Sequence, residues 1–331
     1  MKRMRKLAAV CAGFILLSSS GVFAGSKGEK AGTGPKRVAY IARAQDDSFA
    51  AWLANSMKEE AKKYPNLKVD VLDGQANDAQ QNHQIENCIT SKYDLIIIQP
   101  NDSEAQKPSV RKAAAAKIPV ILTNPRVSDP EIMKITNSVD ADPYEQAAVV
   151  ARLALTQVPQ GAKAVVLNGP PGNIHSTERR RAWKTEFFDK RADVVIAGEQ
   201  AAYWLKDQAM RYMEGWVQAN PQIDAVIAMN DNMAAGAIEV IKGNPQFDNL
   251  LTYGGDGTVE AALLIRDGAL TATFFQNAME LAKQNMDLAN KMLAGAAGTG
   301  GVHTDIQCPL ITKENIQSLI DTHKAAGADI K

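Results

Sequence analysis

From residue 37 onward the chain alternates short apolar runs with longer segments of helical spacing, and this alternation most limits the folds open to it. RVAYIA (37–42), KVDVLDG (68–74), DLIIIQP (94–100) and IPVILTN (118–124) read as buried strands, with KITNSV (134–139) as a short further one. Helices are expected at 48–64, 79–93 and 103–117, the last broken or started at Pro108. In 48–64, Phe49, Leu53, Ser56, Met57 and Glu60 fall on one face at three- and four-residue steps. The second half repeats the rhythm: a helix at 142–158, a strand at 162–169, a helix at 176–190, then strands at 192–200, 225–230, 250–257 and 269–275 with helices between them. A long helix at 278–294 precedes the glycine-rich break GAAGTGG, and one strand, DIQCPLI, and one helix, KENIQSLIDTHKAA, close the chain. Strands that alternate with helices form parallel sheets covered on both faces. There are too many strands for one sheet, so two open α/β lobes are predicted.

The first residues stand apart. Lys2, Arg3, Arg5 and Lys6 precede the apolar run LAAVCAGFILL, and SSSGVFA follows with Val22 and Ala24 at the −3 and −1 positions of a cleavage site. This is the layout of a secretory signal peptide over 1–24, followed by a linker, 25–35, and it predicts a periplasmic protein cut after Ala24. The run is too short to span a bilayer, which takes about 20 apolar residues. Val10 before Cys11 argues against a lipid anchor. The whole chain carries 37 basic and 37 acidic residues; loss of 1–24 removes four basic and no acidic ones, leaving a net charge of −4. Nucleic-acid partners need a basic surface, so none is expected. Cys88 and Cys308 remain, and two separate buried thiols are favoured over a bridge. The four histidines are scattered, without metal-ligand spacing, so no metal is expected.

In open α/β sheets ligands bind beyond the carboxyl ends of the strands. Those positions hold RAQDD (43–47), Gln99, Asn124, the loop GPPGNIH with Arg179, Tyr203 and Trp204, Asn230 and Asp231, Asp256, and Gln276. Carboxylates, amides and guanidinium suit the paired donor and acceptor character of sugar hydroxyls, and flat aromatic faces cover a sugar ring. Singly, an Asp or Asn after a strand commonly caps the next helix. Asp142 and Asp231 are read that way, and Trp204 alone could be core. His175 reads as a surface turn residue. The stretch NGPPGNIHSTERRR (168–181) invites a phosphate cradle. It lacks the spacing of either phosphate motif, and its two prolines remove backbone donors.

Four segments, IIIQPNDSEA, GPPGNIHSTERRRAW, AVIAMNDNMAAGAIEVI and TYGGDGTVEA, resemble the periplasmic sugar-binding proteins of the ribose-binding type in order and spacing, over essentially all of 36–325. The resemblance implies two Rossmann-like lobes joined by a three-segment hinge, 36–138 plus 278–305 and 139–277 plus 306–331. It implies a monomer that closes on a monosaccharide or polyol and docks on the permease of an ABC transporter, with no cofactor and no catalytic residue. Residue by residue it implies Arg43, Asp47, Phe49, Gln99, Asn124, Arg179, Trp204, Asn230, Asp256 and Gln276 as ligand contacts. Of the three arginines, only Arg179 faces the cleft; Arg180 and Arg181 face solvent. Gly255 stands where the family often has an aromatic, which leaves room for a wider pocket. Two arginines against Asp47 and Asp256 favour a neutral ligand. A transcription regulator would need a DNA-binding segment where the signal peptide stands. An enzyme lacks a nucleophile–His–acid set here. A receptor for chemotaxis or quorum signalling remains open.

Overall fold

The structure is a computed structural model describing residues 34–127, 129–219 and 222–330; the signal-peptide segment 1–24 and most of the linker lie outside the described residues. The first sheet contains β1 (Lys36–Ala42), β2 (Leu67–Asp73), β3 (Leu95–Ile98), β4 (Val120–Thr123), β5 (Asn137–Asp140) and, from far along the chain, β11 (His303–Asp305). Its order is β11-β5-β4-β3-β1-β2, all parallel. The second contains β6 (Lys163–Asn168), β7 (Val195–Ala201), β8 (Ala225–Ala228), β9 (Leu251–Tyr253), β10 (Ala272–Phe274) and β12 (Leu310–Thr312), in the order β12-β10-β9-β8-β6-β7. Only β12 in that sheet runs antiparallel, against β10.

The helices are α1 (Ser48–Ala61), α2 (Asp78–Thr90), α3 (Lys107–Ala115), α4 (Pro130–Ile135), α5 (Pro143–Gln157) and α6 (Ile174–Glu186), then α7 (Lys206–Ala219), α8 (Asp231–Ile241), α9 (Val259–Arg266), α10 (Ala278–Leu293) and α11 (Ile316–Ala325). Pro108 starts α3 rather than breaking it, because a proline in the first turn gives up an N–H that has no helical partner. Asp142 caps α5, accepting from the N–H groups of Tyr144 and Glu145.

Strand β3, Leu-Ile-Ile-Ile, is buried along its whole length, as a two-faced parallel sheet requires. The two-residue period of β1 divides the core. Val38, Tyr40 and Ala42 meet α1 and α10 on one face, and Ala39 and Ile41 meet α2 and α3 on the other. Each such fully buried aliphatic side chain contributes about 1.5–3 kcal/mol over an exposed one. The second sheet carries a larger cluster with Trp183, Phe187, Tyr253 and Phe274.

The chain crosses between the sheets three times: from β5 to α5, from β10 to α10, and from β11 to β12. The third crossing corrects the sequence reading. DIQCPLI is not one strand: pairing with the first sheet stops at Asp305, and pairing with the second begins at Leu310. Pro309 lies between and has no N–H to give a ladder; its carbonyl accepts from Phe275 N at 2.8 Å. Cys88 and Cys308 are both free, the first buried and the second partly so, and burial pushes the Cys88 thiol up to about 11.

Candidate functional site

The carboxyl ends of the two sheets enclose a cleft lined by Arg43, Asp47, Phe49, Gln99, Asn124, Arg179, Trp204, Asn230, Asp256 and Gln276, together with Pro125, Asn173 and His175. All ten positions singled out from the sequence therefore come together. Its cavity volume is about 30 Å³, room for a water or two.

The first-sheet wall is built from strand ends. Arg43 follows β1 and pairs through Nη2 with Asp47, both side chains almost wholly buried. Asp47 also caps α1, its Oδ1 accepting from Ala50 N at 2.8 Å. Gln99 follows β3. Its Oε1 accepts from Tyr40 Oη at 3.2 Å and Arg43 N at 3.0 Å, so its Nε2 must turn the other way and donates to Asn124 Oδ1 at 3.0 Å. Asn124 Nδ2 is then left buried without a protein partner. Phe49, on the first turn of α1, adds an apolar ring.

The second-sheet wall centres on Arg179, buried in α6. Its Nε donates to Gln146 Oε1 at 2.9 Å, and Nη1 to the Met229 carbonyl at 2.8 Å. Nη2 reaches Asp256 Oδ1 at 3.1 Å and Gln276 Oε1 at 3.3 Å. Gln276 Oε1 also accepts from Gln146 Nε2, which fixes the amide and leaves Gln276 Nε2 buried and unpartnered. The guanidinium carbon lies 4.7 Å from the ring centre of Phe274 and 5.5 Å from that of Trp204. Arg180 and Arg181 leave the cleft, but neither is bare: Arg180 pairs with Glu199 and lies over Phe188, and Arg181 pairs with Glu178 over Tyr144.

Two glycines of the Gly-Pro-Pro-Gly turn are needed for shape. A Cβ on Gly169 would lie 2.2 Å from the Trp204 ring, and one on Gly172, at φ +81°, would lie 2.1 Å from an Asp102 oxygen. Asn124, Trp204 and Asp256 have φ of +40°, +68° and +114°. Such backbone costs about 1–3 kcal/mol per residue and persists where the surroundings hold it. At Asp256 the flanking bonds Asp256 N to Phe274 O and Gln276 N to Asp256 O do so.

Three readings from the sequence need correction. Gly255 does not widen the pocket: a Cβ there would lie 2.3 Å from Phe274, whose ring fills that space. Asn230, not Asp231, caps α8, accepting from Met233 N at 2.9 Å. Asp231 is the first helical residue, with Thr273 Oγ1 donating to one oxygen at 2.7 Å and Thr258 N to the other at 2.9 Å. Burial pushes its carboxyl up to about 7 against those two donors. Burial also holds the Asp256 carboxyl well above the ordinary range, opposed by Arg179 and helped by the charges of Asp231 and Asp47. Last, His175 is not a surface residue. It is 4% exposed, lines the cleft, and places Nε2 3.2 Å from both oxygens of Asp140. Asn173, which caps α6, was also missed; its Nδ2 donates across the cleft to the Asn101 carbonyl at 3.0 Å. The N-cap signal was present in the sequence, the cross-cleft partner was not.

Two open sheets with a polar, charge-paired cleft between their strand ends define a two-lobed α/β binding protein. The family model described as a periplasmic binding protein domain matches residues 38–297, and the chain belongs to the periplasmic binding protein family. It is 30% identical to the ribose import binding protein of Bacillus subtilis (strain 168) over 250 residues, 76% of this chain and 79% of that protein. It is 29% identical to a putative rhizopine-binding protein of Rhizobium meliloti over 274 residues, 82% of this chain and 88% of that one. Among solved structures, a galactofuranose binding protein superposes with a TM-score of 0.82 at 21% identity, covering 89% of this chain and 100% of its own. A solute binding protein from Bacillus halodurans C-125 with bound myo-inositol gives 0.78 at 25% identity, with coverage of 87% and 98%.

Proposed function

We propose that this protein captures a monosaccharide or related polyol between its lobes, in the periplasm, and delivers it to the permease of an ABC transporter. The observation that carries the reading is the balance of the cleft. Each arginine that lines it is paired with a carboxylate, Arg43 with Asp47 and Arg179 with Asp256, so an anionic solute finds no free cation. Two buried amide donors, Asn124 Nδ2 and Gln276 Nε2, stand without protein partners. A hydroxyl oxygen satisfies such a donor and offers its own proton in return. Phe49 and Trp204 supply apolar rings for the C–H faces of the solute. Relatives named for ribose and D-apiose import support the same class.

The ten cleft residues hold and orient the solute rather than transform it. A cavity of about 30 Å³ is too small for a sugar, so entry requires the lobes, 36–138 plus 278–305 and 139–277 plus 306–331, to part about the three crossings. The leader 1–24 directs export. Calorimetry of the mature chain against pentoses, hexoses, deoxysugars and alditols tests the reading: one or more neutral polyols should bind. Stabilisation by sugar acids or sugar phosphates alone would overturn it.

A further inference from the structure

A run of polar contacts joins the two walls of the cleft through residues that none of the ligand assignments include. Asp140, the last residue of β5, is fully buried. Its Oδ2 accepts the backbone N–H of Arg126 at 2.9 Å, two residues beyond Asn124. His175 arrives from the other sheet, in the first turn of α6, and sets Nε2 3.2 Å from each carboxylate oxygen. A carboxylate only accepts, so the ring proton sits on Nε2 and Nδ1 is free to accept. Arg179 Nη2 lies 3.4 Å from that Nδ1. The path thus runs from the Asn124 loop through Asp140 and His175 to Arg179, and on to Asp256 and Gln276.

We propose that His175, set by Asp140, is the positioning residue that holds Arg179 in register with the opposite wall, so that solute capture depends on a neutral imidazole at position 175. This rests on the polyol-binding reading of the cleft. A neutral imidazole is a rigid body with a donor at one end and an acceptor at the other. It can face a carboxylate and a guanidinium together. Protonated, it would turn a second N–H toward Arg179 and place two cations side by side. The charged groups around it are Asp140 from β5, Arg126 from the loop after β4, and Arg179 from its own helix. Burial holds the imidazole below its ordinary value, opposed by Asp140, and Arg179 and Arg126 add to the lowering. Burial would raise the Asp140 carboxyl, but His175 and the Arg126 N–H hold it below the usual range, so this partner stays ionised through mildly acidic pH.

Two substitutions separate positioning from mere support. His175→Gln keeps a donor for Asp140 but does not titrate. Asp140→Asn removes the negative charge that holds the ring proton on Nε2, though Asp140 does not line the cleft. The test uses the mature chain with D-ribose and myo-inositol as probes, from pH 7.5 downward, and also the ligand-free protein by ¹⁵N NMR of the Arg179 Nε–H and the histidine ring nitrogens. Wild-type affinity should fall at least fivefold more than that of His175→Gln as the pH drops through the His175 titration that the ring nitrogens report. Asp140→Asn should bind at least tenfold more weakly at pH 7.5. The Arg179 resonance should follow the His175 titration in the wild type and stay flat in His175→Gln. Equal pH slopes in wild type and His175→Gln, or an Arg179 resonance indifferent to His175, would overturn the proposal. If neither probe binds while the resonance still follows the titration, the positioning role stands and the affinities are read with whichever neutral polyol the calorimetric panel identifies; a panel in which only anionic solutes bind sinks the polyol reading and leaves the positioning role.

Discussion

The two walls of the cleft hold their charges by different means. On the first-sheet side Arg43 and Asp47 are four residues apart, joined across one strand-to-helix turn, and Asp47 is fixed again by its own helix. On the second-sheet side one guanidinium gathers acceptors 33, 50, 77 and 97 residues away, on separate elements. The charge pair of the first wall is organised locally, and Asp47 keeps its place at the helix N-terminus when Arg43 is lost. The second has Arg179 as its common partner, so damage there spreads.

Arg179→Ala should give the largest effect. It strips Gln146 Oε1, the Met229 carbonyl and Asp256 of their donor, while Gln276 Oε1 keeps its bond from Gln146 Nε2, and it leaves Asp256 buried and unpaired, a loss of about 3–5 kcal/mol in unfolding free energy. Solute affinity should drop at least a hundredfold, and Arg179→Lys should not restore it, because an ammonium cannot reach the same fork of partners. Urea denaturation and calorimetry read both quantities. The contrast between the walls collapses if Arg43→Ala costs as much.

Asp231 sharpens the contrast through pH. Its carboxyl, pushed up to about 7, lies above the ordinary unfolded value of about 3.9. The stability it lends is complete below about pH 4 and is lost by about 1.4 kcal/mol per unit as pH rises toward 7, where it levels off. Asp231→Asn removes that slope, so its stability relative to wild type should rise by about 2 kcal/mol from pH 5 to pH 7. Thermal and urea unfolding at both values check it. A constant difference would place the Asp231 carboxyl in the ordinary range.

Arg43→Ala should come next. Asp47 keeps its bond from Ala50 N, so the loss is one charged hydrogen bond, about 2 kcal/mol, with roughly tenfold weaker solute binding. Arg180→Ala should matter least. Its pair with Glu199 is partly exposed, worth under about 1 kcal/mol, and affinity should not change. A tenfold loss of binding in that variant would mean that the arginine run acts as a unit after all.

The alternation of strands and helices, and the strand-end positions of the cleft, were legible because both follow from spacing along the chain. What failed to read were partnerships set by the third dimension. His175 looks like any turn residue until Asp140, 35 positions earlier and in the other sheet, is brought against it. Asp231 has the sequence of a cap, yet Asn230 takes the cap and Thr273 and Thr258 enclose its neighbour. The gap at Gly255 seemed open because nothing nearby in sequence fills it; the filling ring comes from Phe274 on the adjacent strand. DIQCPLI reads as one apolar run, and only the separate registers of two sheets divide it.

Helix α10 and strand β11 belong to the first sheet's packing, yet along the chain they follow β6 to β10 of the second sheet. Val38, Tyr40 and Ala42 must wait for Leu281, Met286 and Ala289 before that face of the core is covered. A ribosome therefore releases the strands β1 to β5 long before the helix that shelters them. Contacts so distant in sequence form slowly, since the intervening chain must first be brought to order. That face of the core therefore stays uncovered until α10 has been made.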